Sequence, residues 1–384
     1  MSQVSLDEIF RSKAENIKTA WNHYQNRDTV LASLPFRGII ELTQNCNFRC
    51  VMCAQSWEPK YARYSNELNM PFDDFVRIGE QLFPSALSID LRGFGESTIL
   101  PYWPDVLTFL ENYPLIEWNL VTNLALPRDE VWQKMCSLDF SIGFSCDGAT
   151  KETFEAIRVR AHFNRILHNL GVVRDSIKSQ GRGFIYFIST IQKCNMHEMR
   201  AIVELAREYN VDEVQFKAVQ GEHTDQLLIE VDPELLASHS HAALDAAADL
   251  GIRVTFNDAA FLRGLDAEKY ARVSKFRLKK DHLTAYVERN GLSGPLAAIA
   301  DTARVSEHRS CFKSFSLIFV DHRLKVGTCN HMMHPILLEM GDAKTSSLSD
   351  IWNGQPYRDF RESHLQARPQ DSRCQWCFAH RLDD

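Results

Sequence analysis

The chain lacks the features that mark export, membrane insertion or nucleic-acid binding. No apolar run is long enough to cross a bilayer, and the mixed-charge N-terminus has no uninterrupted apolar region of the kind found in a signal peptide. The formal net charge of the 384 residues is −7, which argues against a protein that binds nucleic acid mainly through phosphates. There is no internal repeat and no low-complexity tract. We therefore expect a cytoplasmic protein with no membrane and no nucleic acid among its partners.

A disulfide framework is not expected either, although the chain contains ten cysteines. Disulfides persist in exported proteins, and no export signal is present. Instead the cysteines cluster towards both ends of the chain, as Cys46, Cys50 and Cys53 and as Cys374 and Cys377. Clustering of this kind indicates metal binding.

The first cluster lies in the stretch at 41–57, ELTQNCNFRCVMCAQSW, with a C-x3-C-x2-C spacing. Thiolates normally hold all four irons of a [4Fe–4S] cluster, so three thiolates would leave one iron open to a small molecule. Zinc usually takes four ligands, often from two C-x2-C pairs, and no second pair lies nearby in the chain. A zinc site and three unrelated thiols remain the alternatives.

From residue 37 to about 220, short strands rich in Val, Ile and Phe alternate with stretches of helical period. This rhythm predicts βαβ units and a parallel sheet, with the chemistry at the carboxyl ends of the strands. The predicted strands are 37–43, 87–92, 116–122, 140–146, 183–191 and 213–219, with a seventh at 252–256. The predicted helices are 72–82, 129–135, 151–176, 197–209 and 233–250.

The C-x3-C-x2-C run directly after an apolar strand resembles the signature of the radical S-adenosylmethionine (radical SAM) family. The resemblance implies a partial (β/α)6 parallel barrel and a [4Fe–4S] cluster whose open iron binds SAM. It also implies reductive cleavage of SAM to a 5′-deoxyadenosyl radical, which abstracts hydrogen from the substrate. A flavodoxin- or ferredoxin-type protein would supply the electron. Met52 stands where the family usually has an aromatic residue that touches the adenine.

Two further stretches resemble family motifs at strand ends. The sequence RGFGES at 92–97 is similar to the G-G-E-P motif. The likeness implies that Gly93 and Gly95 let the backbone approach SAM, and that Glu96 or nearby carbonyls accept from its ammonium. Asn123 and Ser145 match strand-end positions where the family binds the ribose and carboxylate of SAM. Both side chains can donate and accept hydrogen bonds, which suits the two hydroxyls of a ribose.

The stretch at 145–158, SCDGATKETFEAIR, is similar to a pattern of SPASM-type radical SAM proteins. The similarity makes Arg158 a candidate for binding the SAM carboxylate, and a surface helix arginine is the alternative. Cys146 is either a small buried side chain or a hydrogen-atom donor. No catalytic acid or base is assigned from the sequence.

A second, C-terminal cysteine set consists of Cys311, Cys329, Cys374 and Cys377. It resembles the twitch domain, the single-cluster short form of SPASM, which implies one fully ligated auxiliary [4Fe–4S] cluster, with structural zinc as the alternative. Full SPASM domains continue with more cysteines, and none follows Cys377 here. We therefore expect two clusters per chain.

The motifs and the resemblance together predict four parts of the chain. Residues 1–35 form a helical segment, 36–225 the radical SAM barrel, 226–305 a helical linker or insert, and 306–384 the twitch/SPASM-type domain, with a β-hairpin at 315–327 and a helix at 348–363. The basic run at 275–280 is a solvated helix face or, alternatively, an anion site. His331 and His334 are a structural pair around a turn or an acid and base facing the cavity.

The resemblance implies an oxidoreductase or epimerase, with a sugar or aminocyclitol as the expected small-molecule substrate. The N-terminal segment is too short for the leader-binding domain of many peptide-modifying relatives. A peptide-modifying maturase is the first alternative. A non-catalytic iron–sulfur or zinc scaffold is the alternative from a different class.

Overall fold

The computed structural model describes residues 5–219, 227, 232–275, 311–329, 338–366, 368–369, 371–372 and 374–375. Cys377, His331, His334 and residues 276–280 of the basic run lie outside the described residues. Within the described ranges, no helix combines the length and the apolar character needed to cross a membrane.

A ten-stranded sheet forms the centre of the molecule. Its order is β12-β11-β10-β1-β3-β4-β5-β7-β8-β9, and a separate antiparallel pair joins β2 and β6. The strands are β1 Arg37–Ile40, β2 Arg49–Cys50, β3 Ser88–Asp90, β4 Glu117–Thr122, β5 Ser141–Ser145, β6 Arg158–Val159, β7 Phe184–Ile191, β8 Glu213–Ala218, β9 Arg253–Phe256, β10 Leu317–Val320, β11 Lys325–Gly327 and β12 Gly341–Asp342.

Each neighbouring pair from β10 through β1 to β9 is parallel. The six predicted barrel strands and the predicted seventh strand all occur, and the α/β class with a mostly parallel sheet is confirmed. Parallel strands buried on both faces need helices between them, and helices connect the strands here. The carboxyl ends of these strands therefore share one edge, where the predicted motifs lie.

The helices surround the sheet and bury their apolar sides against it. They are α1 Leu6–Asn26, α2 Phe72–Leu82, α3 Trp103–Leu110, α4 Asp129–Ser137, α5 Lys151–Ile157, α6 Phe163–Gln180, α7 Met199–Glu208, α8 Pro233–Leu250, α9 Ala267–Val273, α10 Lys313–Ser316, α11 Leu348–Trp352 and α12 Gln355–Leu365.

Local sequence signals set the ends of α8. Asp232 is its N-cap and accepts from the backbone N–H of Leu235, Pro233 stands in the first turn, and Gly251 ends the helix in the left-handed conformation. These are the expected roles of Asp, Pro and Gly at helix ends. The predicted bounds of this helix are confirmed.

Helix α1 covers the sheet at the amino ends of the strands. The buried Lys13 Nζ donates to the carbonyl oxygens of Phe83 and Ala86, just before β3. Burial lowers the pKa of Lys13 to about 7. The amphipathic N-terminal segment is thus one helix packed against the end of the barrel opposite to the predicted site.

Two helical predictions need correction, and the sequence did not predict every helix. The predicted helix at 151–176 is two helices, because β6 interrupts it and Arg160 adopts a left-handed backbone at φ 77. The predicted helix at 348–363 is also two, separated at Asn353 and Gly354. Helix α3 was not predicted; its proline, Pro104, stands in the first turn, where proline is tolerated.

The C-terminal hairpin of β10 and β11 continues the barrel sheet. Strand β10 pairs in parallel with β1, with Val320 opposite Ile40, and antiparallel with β11. The sequence predicts this hairpin within a separate small module. The structure joins it to the first barrel strand, so the two regions share one sheet.

Candidate active site

One cavity of about 950 Å³ opens at the carboxyl edge of the sheet. It brings together all three cysteines of the first cluster and every residue predicted to contact SAM. These residues are Cys46, Cys50, Cys53, Met52, Gly93, Gly95, Glu96, Asn123, Ser145 and Arg158. They come from separate parts of the chain, which meet because parallel strands end at the same edge.

The cysteine loop, residues 41–57, begins where β1 ends and is held by side chains near its start. The Thr43 hydroxyl donates to Asn69 Oδ1 at 2.6 Å and accepts from the backbone N–H of Asn45 at 2.9 Å. Further along, β2 pairs with β6, which places Cys50 opposite Arg158. The loop is therefore held both near its start and around Cys50.

The three thiols are largely removed from solvent, and this controls their protonation. Burial and, second, the Glu96 carboxylate raise the pKa of Cys46 to about 12. Burial also raises the pKa of Cys50 and of Cys53. A thiol must lose its proton to bind a metal, so binding of a cluster to these cysteines would release their protons.

The glycine loop, residues 92–97, follows β3. It packs so closely on the cysteine loop and on Glu41 that Gly93 and Gly95 have no room for a side chain. A Cβ on Gly93 would lie 2.3 Å from Glu41 Cγ, and one on Gly95 would lie 2.3 Å from the Asn45 carbonyl oxygen. The backbone N–H of Glu96 donates to that same carbonyl at 2.8 Å. Glycine is therefore required at both positions by contact with the protein itself. The predicted role of Gly93 and Gly95, close approach of the backbone to SAM, stays a prediction.

Glu96 lines the cavity, but its carboxylate also holds the neighbouring strand end. Oε1 accepts from the hydroxyls of Thr98 and Thr122 at 2.7 and 2.8 Å, and Oε2 accepts from the backbone N–H of Asn123 at 2.7 Å. Burial raises the pKa of Glu96 against the effect of these donors. The predicted contact with the SAM ammonium stays a prediction, and the structural role is an addition to it.

Asn123, at the end of β4, connects that strand to the cysteine loop. Its Nδ2 donates to Asn47 Oδ1 at 2.7 Å, and its Oδ1 accepts from the backbone N–H of Ala125 at 3.0 Å. Both ends of the amide are thus oriented by the protein. Ser145 ends β5 and lies half-buried on the same cavity wall.

Arg158 is not a surface arginine, so that alternative is wrong. It is ion-paired with Asp147, with Nη2 2.7 Å from Oδ2, and the two side chains are 11% and 0% exposed. Its Nη1 lies 3.7 Å from Cys50 Sγ. The guanidinium therefore stands between a buried carboxylate and a cluster cysteine, on the wall of the cavity.

Sequence reasoning missed a buried polar group behind the glycine loop. Glu41 Oε1 accepts from the backbone N–H of Phe94 at 2.8 Å. Its Oε2 accepts from Gln44 Nε2 at 3.0 Å and lies 3.0 Å from His322 Nδ1. Since a carboxylate only accepts, Nδ1 carries the hydrogen. Glu41 therefore joins the glycine loop, the cysteine loop and the turn of the C-terminal hairpin.

Two family descriptions match the chain. "Radical SAM superfamily" matches residues 40–206, and "Iron-sulfur cluster-binding domain", or SPASM, matches residues 311–378. The chain carries a radical SAM domain followed by a SPASM domain. The radical SAM family indicates an enzyme.

Solved structures of SPASM-type radical SAM proteins have the same fold. Streptococcus suis SuiB bound to S-adenosylmethionine is 13% identical, with a TM-score of 0.62, over 93% of this chain and 73% of that one. The structure described as native anSMEcpe with bound AdoMet and Cp18Cys peptide is 13% identical, with a TM-score of 0.54, over 91% and 88%. At these identities the likeness shows the fold alone.

One curated relative shares a shorter stretch. The "Tungsten-containing aldehyde ferredoxin oxidoreductase cofactor-modifying protein" of Pyrococcus furiosus is 30% identical over 112 residues. The match spans 28% of this chain and 30% of that relative. The chain therefore aligns with less than a third of the relative's length.

The radical SAM domain binds a [4Fe–4S] cluster and SAM, and the SPASM domain binds additional iron–sulfur clusters. The donor set fits the first cluster, because Cys46, Cys50 and Cys53 line one cavity beside the cationic Arg158. In the described part of the chain, no group of three or more His, Cys, Asp or Glu side chains is gathered closely enough to hold a metal ion. That finding concerns a single metal ion. Each thiolate of an iron–sulfur cluster binds a different iron, so the three cysteines need not converge on one point.

The SPASM domain contributes three described cysteines. Cys311 and Cys329 are half-buried and Cys374 is buried. Cys329 follows β11, whose last residue, Gly327, accepts a hydrogen bond from the Tyr357 hydroxyl at 2.8 Å. The chain around Cys329 is therefore held to α12 by this buried tyrosine.

Cys146 is fully buried and is not among the residues that line the cavity. Its Sγ points to the Gly148 carbonyl oxygen at 3.6 Å, and burial raises the pKa of the thiol. The interpretation as a small buried side chain fits this geometry. The alternative, a hydrogen-atom donor facing the substrate, does not.

Proposed function

We propose that this radical SAM enzyme oxidises or epimerises a small polyol, such as a sugar or an aminocyclitol, at a C–H bond beside a hydroxyl. The observation that carries the proposal is that the three cysteines, the glycine loop and the polar strand ends all line the same cavity. When bound there, the cluster supplies the electron that cleaves SAM to the radical that abstracts hydrogen.

We assign the SAM contacts by position in this cavity. Gly93 and Gly95 give the backbone room for the amino-acid part of SAM, and Arg158 pairs with its carboxylate. Asn123 and Ser145 bind the ribose hydroxyls, which pair with groups that donate and accept. Met52, half-buried on the cavity wall, lies against the adenine, which suits a polarizable side chain.

The interior of the barrel supports a hydroxyl-rich substrate. Along β3, β4, β7 and β8, the side chains of Asp90, Asn119, Tyr186 and Gln215 alternate with core residues. Alternation in a strand sends these polar groups to one face of the sheet. The cavity wall itself carries the polar side chains of Gln55 and Thr122, so a small polar molecule next to SAM would meet hydrogen-bonding groups there.

Dehydrogenation is the better-supported outcome of the two. Inversion needs a hydrogen-atom donor at the substrate, and Cys146 is buried away from the cavity. Apart from the three cluster cysteines, no thiol lines the cavity among the described residues. Dehydrogenation instead needs an electron acceptor. We propose that one auxiliary cluster, held by Cys311, Cys329, Cys374 and Cys377, is the electron acceptor. The proposed domain bounds are 36–225 for the barrel and 306–384 for the domain that holds this cluster.

A peptide substrate is the second candidate. SuiB, with 14% identity and a TM-score of 0.61, has been solved bound to its precursor peptide SuiA, and the anSMEcpe structure holds a Cp18Cys peptide. These names favour a peptide. The description of the Pyrococcus furiosus relative names a cofactor as what is modified, which favours a small molecule. A non-catalytic scaffold is the alternative that lacks SAM cleavage altogether.

Isotope transfer separates these candidates. The reconstituted protein is incubated without oxygen with SAM, a reductant and sugars or aminocyclitols deuterated at the carbinol carbon. We expect deuterium in 5′-deoxyadenosine together with a ketone product. Transfer from a short peptide and from none of the polyols would replace the polyol proposal. Absence of 5′-deoxyadenosine under every condition would support the scaffold.

A further inference from the structure

We propose that Arg361 is the buried cation that balances the negative charge of the auxiliary cluster, and that it makes this cluster easier to reduce. The inference goes beyond the proposed function, because it concerns the electron acceptor and not the substrate. It rests on the auxiliary cluster proposed above for the C-terminal cysteines, and it holds whether the substrate is a polyol or a peptide.

Arg361 lies on α12 and is a buried charge without an acidic partner. Its side chain is fully buried, with 0% exposed. Nε donates to the Ser314 carbonyl oxygen at 2.9 Å, and Nη1 donates to the Thr29 carbonyl oxygen at 3.0 Å. Among the described residues, Nη2 has no hydrogen-bond partner, and no carboxylate acts on the charge of the guanidinium. Burial lowers the pKa of Arg361 to about 10, so the side chain is still charged at neutral pH.

Aromatic rings surround the guanidinium but do not neutralise it. Its central carbon lies 4.5 Å from the centre of the Trp352 ring, 5.1 Å from that of Tyr357 and 5.9 Å from that of Phe315. Contacts with ring faces stabilise a buried cation in part. A buried charge is nevertheless costly unless an opposite charge accompanies it. The surroundings of Arg361 therefore favour an anion bound nearby in the loaded protein.

On one side, the contacts of Arg361 lead to Cys311, one of the proposed cluster ligands. Ser314, whose carbonyl accepts from Nε of the arginine, donates to the Cys311 carbonyl oxygen with both its hydroxyl and its backbone N–H, at 2.8 and 3.3 Å. The guanidinium is therefore separated from this ligand by a single turn of the chain, residues 311–314.

On the other side, the contacts lead to Cys329. The Tyr357 ring lies against the guanidinium, and its hydroxyl donates to the carbonyl oxygen of Gly327, two residues before the cysteine, at 2.8 Å. Burial raises the pKa of Tyr357, the charge of Arg361 opposes this shift, and a Cys329 thiolate adds to it. The same tyrosine thus lies within reach of both charges, and the arginine lies between the segments that carry two ligands.

A nearby cation changes how readily a cluster accepts an electron. A cluster held by four thiolates is an anion, and reduction adds one more negative charge. A buried cation stabilises the reduced form more than the oxidised form, because the attraction grows with the charge of the cluster and is strong where water is excluded. Net charge is one of the factors that set the potential of an iron–sulfur cluster. Arg361 should therefore raise the potential of the auxiliary cluster, which suits an electron acceptor.

The test is a redox titration of the auxiliary cluster, followed by electron paramagnetic resonance. It uses the reconstituted full-length chain with Cys46, Cys50 and Cys53 changed to alanine, so that the auxiliary cluster gives the signal. Arg361→Gln removes the charge and keeps an amide donor. We expect its cluster to be at least tenfold harder to reduce, which is a potential lower by about 59 mV or more for one electron. Arg361→Lys keeps the charge and should retain most of the potential.

Arg358→Gln is the matched control, because it removes the same charge from the same helix at a half-buried position, where solvent screens the charge. It should shift the potential much less than Arg361→Gln does. Equal potentials with and without the Arg361 charge, an equal shift in the control, or zinc in place of the auxiliary cluster would overturn the proposal. If Arg361→Gln loses the cluster, iron content decides: retention by Arg361→Lys supports charge balance, and loss from both variants overturns it.

The titration needs no substrate, so its result is separate from that of the isotope-transfer experiment. An unchanged potential in Arg361→Gln, together with deuterium transfer from a polyol to 5′-deoxyadenosine, would remove the role of Arg361 and leave the proposed function. A lower potential in Arg361→Gln, with deuterium transfer from a peptide and from none of the polyols, would support the role of Arg361 and remove the polyol substrate.

Discussion

Two glycines show most clearly how single residues build this site. At Gly93 and Gly95 the nearest atoms lie 2.3 Å from where a Cβ would be, so any other residue must displace the cysteine loop or Glu41. The glycine loop therefore owes its path to contact with the segment that carries the cluster. Binding of SAM and of the cluster should respond together to a change in this loop.

We predict that Gly93→Ala weakens SAM binding roughly ten- to hundredfold, since overpacking of this kind typically costs about 1–3 kcal/mol. Calorimetric titration of SAM into the reconstituted variant measures the effect. Gly171→Ala is the matched control, because nothing lies within 4 Å of its added Cβ. In helix α6 that alanine should stabilise the fold by about 0.5–1 kcal/mol. Unchanged SAM affinity in Gly93→Ala would contradict the contact argument.

At the residue scale, the sequence predicts what is encoded in short spacing. The three cysteines, the two glycines, Asn123 and Ser145 were identified because short stretches at or near strand ends resemble motifs of the radical SAM family. Glu41 and the Asp147 partner of Arg158 were not found. The partner of Glu41 is His322, which lies far away in the chain, and no local pattern marks a pair of that kind. Asp147 and Arg158 both lie in the stretch at 145–158, but the spacing alone does not show that they pair.

At the scale of elements, the parallel strands follow directly from the alternation of apolar runs with helical stretches. The hairpin at 317–327 was predicted as well, but its pairing with β1 was not, because pairing depends on long-range register. This pairing places the hairpin turn beside Glu41, whose backbone N–H donates to the Val320 carbonyl at 2.9 Å. The SPASM domain thereby contacts Glu41, which supports the glycine loop.

We predict that His322→Leu weakens SAM binding by roughly tenfold, as expected when a buried carboxylate loses one donor, at a cost of about 1.5 kcal/mol. His322→Gln keeps an amide donor and should retain most of the affinity. Both variants are compared by SAM titration, with thermal unfolding measured in parallel. The account of Glu41 would be wrong if the leucine variant bound SAM as tightly as the glutamine variant.

At the scale of the whole molecule, one continuous sheet carries both matched domains. Strand β1 lies between β3 of the barrel and β10 of the C-terminal region. The cluster cysteines follow β1, and Cys329 follows β11 shortly after the hairpin turn. The first cysteine set and Cys329 of the second set are therefore attached to the same sheet, an arrangement that suits electron transfer between two clusters. The sequence predicts two sets of metal ligands, but only the fold shows this shared support.

The central claim is that Cys46, Cys50 and Cys53 hold the cluster that cleaves SAM. The most direct test replaces all three by alanine and measures 5′-deoxyadenosine formed from SAM and a reductant without oxygen, together with iron content. The wild type, and Cys194→Ala as an exposed control, should form 5′-deoxyadenosine and contain about eight irons. The triple variant should form none and retain about four irons, held by the C-terminal cysteines. Formation of 5′-deoxyadenosine by the triple variant at the wild-type rate would contradict the account.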